Sequence, residues 1–319
     1  MKKVLALALA LVMCVSLAAC GGSKKESEGP KRIFMSAAYY TAPYGSPLMA
    51  AVEARCKELG YEVQIVDGEA NGDKQLTQVK TAVADGFDGI IYWPGDSAST
   101  PPVVNYLNES GVPWMNINTL PDDSVIDDCT IVASDELQIG KELGKLVVKY
   151  YEENFPGEEM GIAYIEGDSG SSYTIHLTQG INEVLADYPQ IKILNDHQYS
   201  NFDPTLSMNI MEDMITKYGD DIDLVLCQDG GMFQGAYNAL EAANRLGTCG
   251  IICQGQDLIV KDKLLSGELY ASVAQDPTTE GSLSVDVLDK LIKGEKVDHW
   301  TYTPTGPIFK EDVDKFSWF

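Results

Sequence analysis

The sequence predicts an α/β fold made of two doubly wound parallel-sheet lobes, and three observations lead there. Short β-rich runs alternate with segments of helical period from Lys31 onward, the strands lack the alternation of a sheet with one wet face, and the series is written twice. A chain of 319 residues has room for about two domains at ~100–200 residues each, and its 45% hydrophobic content can supply their cores.

In the first series, strand 32–35 leads to helix 46–59, strand 62–66 to helix 73–84, and strand 89–92 to helix 102–110, with strand 113–117 after it. Ser46-Pro47 reads as an N-cap followed by an N1 proline, and Gly60 and Gly86 stand where a helix ends in the left-handed conformation. The second series opens after strand 130–133. It runs helix 136–151, strand 160–165, helix 172–187, strand 191–195, helix 204–218, strand 224–227, helix 232–246 and strand 250–253. Roughly five strands per half fit two open sheets better than one sheet of ten. Ligands of such sheets sit beyond the carboxyl ends of the strands, so two sheets facing there enclose a small molecule from both sides.

Charge narrows the function. The 48 acids against 23 bases give a formal charge of -25, which repels a phosphate backbone, so nucleic acid is not expected as a partner. Three histidines (His176, His197, His299) and seven cysteines without C-x-x-C spacing offer little for a zinc site, and no cofactor is expected. No G-x-x-x-x-G-K-[ST] loop is present, and no G-x-G-x-x-G opens the first helix.

The N-terminus reads as an address. Lys2 and Lys3 precede an apolar run over 4–17, shorter than the ~20 residues a bilayer span needs, and small residues follow. Residues 1–19 are therefore expected to be a cleaved signal. The stretch Leu17-Ala18-Ala19-Cys20-Gly21 resembles a bacterial lipobox, which implies that Cys20 carries the lipid. Residues 20–30 have nothing apolar to bury beyond Cys20 and read as a tether, with a reach of roughly 18 Å over its last ten residues. The body is then held to the extracytoplasmic face of the membrane by that lipid alone. Of the remaining thiols, Cys56, Cys129 and Cys227 read as small buried hydrophobes; a bridge involving Cys249 or Cys253 stays open.

The order of pieces resembles the type I periplasmic binding proteins, in particular the ribose- and galactose-binding receptors of ABC importers. The likeness runs from about Arg32 to Pro307. It is carried by Pro43-Tyr44, Asp85-Gly86-Phe87-Asp88-Gly89-Ile90-Ile91, Ala133-Ser134-Asp135 with Gly140, Asn201-Phe202-Asp203, Gln228-Asp229, Gln275-Asp276-Pro277 and Lys293-Gly294-Glu295-Lys296-Val297. The resemblance implies a three-segment hinge near Ser134, Gln275 and Thr305. Residues 31–134 with 276–304 then form an N-terminal lobe, and 135–275 with 305–319 a C-terminal lobe. It implies a monomer that closes on a sugar and hands it to an ABC permease, with no bond broken.

Carried over by position, Tyr44 and Phe202 match aromatic walls, Asn118 a polar strand end, and Asp229 and Gln275 polar contacts. Trp93 adds a flat face, and Tyr40 is expected on the same rim. Two departures stand out: Ser171-Ser172-Tyr173-Thr174-Ile175-His176-Leu177 holds no arginine where the family forks one onto hydroxyls, and Gln254-Gly255-Gln256 replaces the family's Phe-Asp. Tyr173, His176 and Gln254 complete the candidate set. The balance of rings and amides points to a modified sugar, a polyol, a nucleoside or a cyclic signal molecule.

Other classes fit less well. Gly167-Asp168-Ser169-Gly170 echoes a serine-protease nucleophile segment, but no histidine lies upstream of it, and the adjacent acids Glu166 and Asp168 read as solvated. A repressor core needs a helix-turn-helix where the signal stands. A ligand-sensing subunit for a histidine kinase or chemoreceptor would use the same cleft and is the alternative reading.

Overall fold

The computed structural model describes residues 29–319; the signal and lipobox readings lie outside the described residues. Strands β1 (Arg32–Ala37), β2 (Glu62–Asp67), β3 (Gly89–Trp93), β4 (Trp114–Ile117) and β5 (Ile131–Ser134) alternate with helices α1 (Gly45–Glu58), α2 (Gly72–Ala84) and α3 (Pro101–Ser110). With β11 (Trp300–Thr303) they make a six-stranded, all-parallel sheet in the order β11-β5-β4-β3-β1-β2.

The second sheet takes β6 (Met160–Ile165), β7 (Ile191–Ile193), β8 (Leu224–Cys227), β9 (Gly250–Gln254), β10 (Ala271–Val273) and β12 (Pro307–Ile308), in the order β12-β10-β9-β8-β6-β7. Only β12 runs antiparallel among them. Its helices are α4 (Glu136–Asn154), α5 (Ser172–Leu185), α6 (Pro204–Tyr218), α7 (Gly230–Ala242) and α8 (Leu258–Ser266), while α9 (Pro277–Ile292) returns to pack on α1 and the first sheet. The sixth strand of each sheet comes from the chain's late crossings, which is why a count taken along each half finds five.

Both faces of each sheet are covered. Ile33 and Met35 of β1 point into one core with α1 and α9, whereas Phe34 between them joins Val79, Val103 and Val104 of α2 and α3. β3 and β6 are buried along their whole length. Each fully buried Ile or Leu of this kind contributes ~1.5–3 kcal/mol. Side-chain caps fix six helix starts: Asn71, Asp135, Asp203, Asp229, Asp257 and Asp276 each accept an N–H of the first turn.

Several boundaries differ from the sequence reading. α1 begins at Gly45, so Ser46 is not its cap and Pro47 is its third residue. Gly45 lies against the Tyr39 carbonyl, where a Cβ would not fit, and its N–H reaches Ala42 O at 2.9 Å, so the turn starts early. α7 stops at Ala242 and not at Leu246, because Asn244 turns left-handed (φ 56°) and Arg245 N–H bonds back to Leu240 O. Gly60 and Gly86 do sit past helix ends with φ of 75° and 71°. Cys56, Cys129, Cys227, Cys249 and Cys253 are all free, and all but the half-buried Cys249 are buried.

The chain passes between the sheets three times: from β5 to α4, from β10 to α9, and from β11 to β12. Neighbouring crossings are tied together. Ser134 Oγ and Thr303 Oγ1 lie 2.6 Å apart, and Thr305 Oγ1 donates to Ala274 O at 2.7 Å.

α4 and α5 approach so closely that a Cβ at Gly140 would strike the Leu177 carbonyl, and one at Gly180 the Leu137 carbonyl. Gly180→Ala should therefore destabilise by ~1–3 kcal/mol despite alanine's better helix propensity, read as a lower urea midpoint; an unchanged or raised midpoint would contradict this packing.

Candidate functional site

The site grows from strand ends and the loops that follow them. Trp93 closes β3, Asn118 follows β4, Asp229 follows β8, Gln254 closes β9, and Gln275 follows β10. These residues, with Tyr39, Ala42, Tyr44, Thr119, Ser171, Tyr173 and Phe202, line one cavity of about 440 Å³, counted to its open mouth. Walls from both sheets meet there. Two hydrogen bonds join the walls directly: Leu120 N–H to Ser172 Oγ at 2.7 Å, and Ser97 N–H to Gly170 O at 3.2 Å.

One wall is a run of rings that spans the two lobes. Trp93 and Tyr39 meet edge to face at 5.9 Å between centroids, Tyr39 and Phe202 at 5.5 Å, and Phe202 lies 6.2 Å from Tyr173. The Tyr39 hydroxyl donates to Gly95 O at 2.6 Å, which fixes its ring in this series.

Phe202 sits at φ 57°, a left-handed backbone that a bulky residue adopts only under constraint, and Asn201 before it is at 53°. The constraint is visible: Asn201 N–H bonds Gly167 O, Asp203 N–H bonds Ser200 O, and the Phe202 ring occupies the space a Cβ on Gly167 would need. Asn118, at φ 64°, is the second strained lining residue, and its amide nitrogen donates to Glu280 Oε1 at 2.9 Å.

Glu280, on the buried side of α9, was not singled out from sequence. It is fully buried, and its other oxygen accepts the Tyr44 hydroxyl at 2.7 Å, so one carboxyl holds two cavity residues. Burial pushes it up to about 7 from an ordinary 4.5; the bonds from Tyr44 and Asn118 pull the other way, and Glu136 and Asp276 add repulsion. Asp229 caps α7, its Oδ1 accepting Met232 N–H at 2.6 Å. Burial likewise pushes Asp229 up to about 7, with the charge of Asp257 adding to the effect.

Gln254, with its amide turned so that nitrogen faces Tyr173, donates to the Tyr173 hydroxyl at 2.8 Å and accepts Gly255 N–H at 3.1 Å. Its polar atoms are thus partly spent on shaping the wall.

Eight of the ten sequence candidates come together in this cavity: Tyr44, Trp93, Asn118, Tyr173, Phe202, Asp229, Gln254 and Gln275. Two stand apart. Tyr40 lines an adjoining surface cleft with Glu69, Asn201 and Asp203, and it is Tyr39 that faces the main cavity. His176 lies outside both, its Nδ1 on Glu136 Oε2 at 2.7 Å. The other oxygen of Glu136 accepts Ser172 Oγ at 2.9 Å, so this group clamps the starts of α4 and α5 together. The Glu136 partner holds the His176 imidazole above its ordinary value, against the effect of burial.

Glu166 is not a solvated loop acid either. It is 2% exposed and takes His197 Nδ1 at 2.9 Å and Thr178 Oγ1 at 3.0 Å. Glu166 and Asp168 therefore do not form an exposed carboxylate pair. No group of three or more His, Cys, Asp or Glu side chains among the described residues is placed to hold a metal ion.

Two doubly wound lobes with a cavity at their facing strand ends define a two-lobed solute-binding protein. A family model described as a periplasmic binding protein domain matches residues 33–296, and the chain belongs to that family, whose members bind solutes for transport and are not enzymes. A ribose import binding protein of Bacillus subtilis is 27% identical over 313 residues, covering 94% of this chain and 95% of the relative. A xylitol-binding protein of Mycolicibacterium smegmatis is 28% identical, over 98% of this chain and 87% of the relative. Among solved structures, an ABC transporter solute binding protein of Bacillus halodurans with bound myo-inositol superposes with a TM-score of 0.83 at 25% identity, over 91% of this chain and 98% of the other. These relatives are extracytoplasmic proteins. Among the described residues, no helix is long and apolar enough to cross a membrane.

Glu280 makes stability depend on pH. Its folded value lies above its ordinary one, so its contribution is complete below about pH 4.5 and is lost as pH rises to about 7. Urea midpoints measured without added solute should fall between pH 5 and 7.5, by up to roughly 3 kcal/mol from this group. Glu280→Gln should flatten the fall, though Asp229 contributes in the same direction; an equally steep fall in the variant would contradict the assignment.

Proposed function

We propose that this protein is the lipid-anchored solute-binding component of an ABC importer, which captures a small carbohydrate-like molecule by lobe closure and delivers it unchanged to a permease. The observation that carries this reading is a cavity walled from both lobes, with Tyr44, Trp93 and Asn118 on one side and Tyr173, Phe202, Asp229 and Gln254 on the other. A molecule that touches both walls favours the closed form by the difference between its contacts in the closed and open forms. Flat rings suit the C–H faces of a cyclic polyol, and the polar side chains between them suit its hydroxyls.

Names among the relatives support a polyhydroxylated solute, since ribose, xylitol and myo-inositol all occur there. The moving bodies are 31–134 with 276–304 and 135–275 with 305–319, bending at the tied crossings near Ser134, Gln275 and Thr305. The protein acts as a monomer, with Cys20 as its only membrane attachment.

Thermal-shift screening with sugars, cyclic and linear polyols and nucleosides should yield a binder, since a ligand of the native state raises the melting temperature. Against that binder, Trp93→Ala and Phe202→Ala should each weaken affinity by about thirtyfold, the ~2 kcal/mol of a buried aromatic anchor, while cooperative melting persists. Unchanged affinity in both variants would put the site elsewhere. In bacteria expressing the full chain, Cys20→Ser should move the protein from the detergent phase to the soluble phase on Triton X-114 partition; retention in the detergent phase would refute the anchor.

A further inference from the structure

The cavity's charge is one-sided. Asp229 lines it, and Glu280 stands directly behind Tyr44 and Asn118, yet no lining residue is Lys, Arg or His. Neither carboxyl belongs to an ion pair among the described residues; Asp229 Oδ1 takes a backbone N–H, and Glu280 takes a hydroxyl and an amide. Asp257 and Glu136 lie close enough to add to the same negative potential, and the only basic partner in this group, His176, is spent on Glu136 outside the cavity.

Five aromatic side chains, Tyr39, Tyr44, Trp93, Tyr173 and Phe202, supply the rest of the wall. Aromatic rings around acidic groups in a site shielded from water attract cations through the negative faces of the rings. A neutral guest leaves whatever charge Asp229 and Glu280 carry without a counter-charge.

A second observation describes the remainder of the guest. Trp93 Nε1 and Thr119 Oγ1 belong to cavity-lining residues that are 2% and 1% exposed, and neither atom has a hydrogen-bond partner. Buried polar groups of this kind cost ~1–3 kcal/mol each when unpaired, so a guest that reaches one gains by supplying its partner. An indole N–H needs an acceptor, which an ammonium lacks and a hydroxyl has.

We propose that the solute is an amine-bearing cyclic polyol, with its ammonium seated against Asp229 within the ring wall and a hydroxyl accepting the Trp93 indole N–H. This rests on the reading of the cavity as the solute site and narrows it. The protein's own carboxylate thereby serves as counter-ion. The raised values of Asp229 and Glu280 fit such a site, because an arriving cation repays the cost of ionising them.

Matched pairs test it: D-glucosamine against D-glucose, and an inosamine against myo-inositol, each titrated calorimetrically at pH 7. At least one amine should bind about tenfold or more tightly than its neutral counterpart. Asp229→Asn, which keeps a capping residue for α7, should remove that preference while its melting stays cooperative. Equal or tighter binding of the neutral member of both pairs, a preference that survives in Asp229→Asn, or no binding by either amine overturns the proposal. The underlying reading fails separately: a probe that binds but is insensitive to both Trp93→Ala and Phe202→Ala is not held in this cavity. A neutral probe that binds tightly and loses affinity in those variants leaves the reading standing and removes only the amine.

Discussion

A parallel sheet has no face to spare for solvent or ligand. Both of its surfaces must be covered by the helices that connect its strands, and in this protein Ile33 and Phe34, adjacent on one strand, are buried in two different cores. What remains free is the edge where strands end and loops begin. Trp93, Asn118, Asp229, Gln254 and Gln275 all occupy such ends. Placing two sheets with these edges facing each other brings scattered strand-end and loop positions together on one surface.

The cost of that surface is borne locally. Phe202 and Asn118 hold left-handed backbones, two carboxyl groups sit where water cannot stabilise their charge, and an indole N–H goes unpaired. Elsewhere the molecule follows ordinary rules: helix starts capped by Asp and Asn, ends marked by left-handed glycine, thiols buried and free. Strain and poor solvation thus recur where the two lobes meet, although Asn244 at the end of α7 is also left-handed.

How much of this is legible in the sequence depends on the range of the signal. Strand and helix periods repeat locally, so the two parallel-sheet lobes and most element bounds follow from them, and residues at the ends of strands inherit their placement. Trp93 and Gln254 are of this kind. Tyr39 and Tyr40 are not: both lie in a loop after β1 that has no period, so nothing local tells which ring turns inward. Glu280 is hidden for another reason. An acid on a helix ordinarily faces water, and the two partners that hold this one lie 236 and 162 residues away in the chain. His176 shows the converse, since its position suits a contact but a buried acid 40 residues upstream claims it.

The fit between Phe202 and Gly167 has a bearing on descent. Because the ring fills the volume that any side chain at 167 would occupy, the two positions cannot drift independently. A lineage that acquires even alanine at 167 must first shrink or reorient the ring, and with it one wall of the cavity. The pair therefore acts as a marker: homologues that keep both should keep this stretch of the cavity wall, and those in which the glycine is gone should have reshaped it.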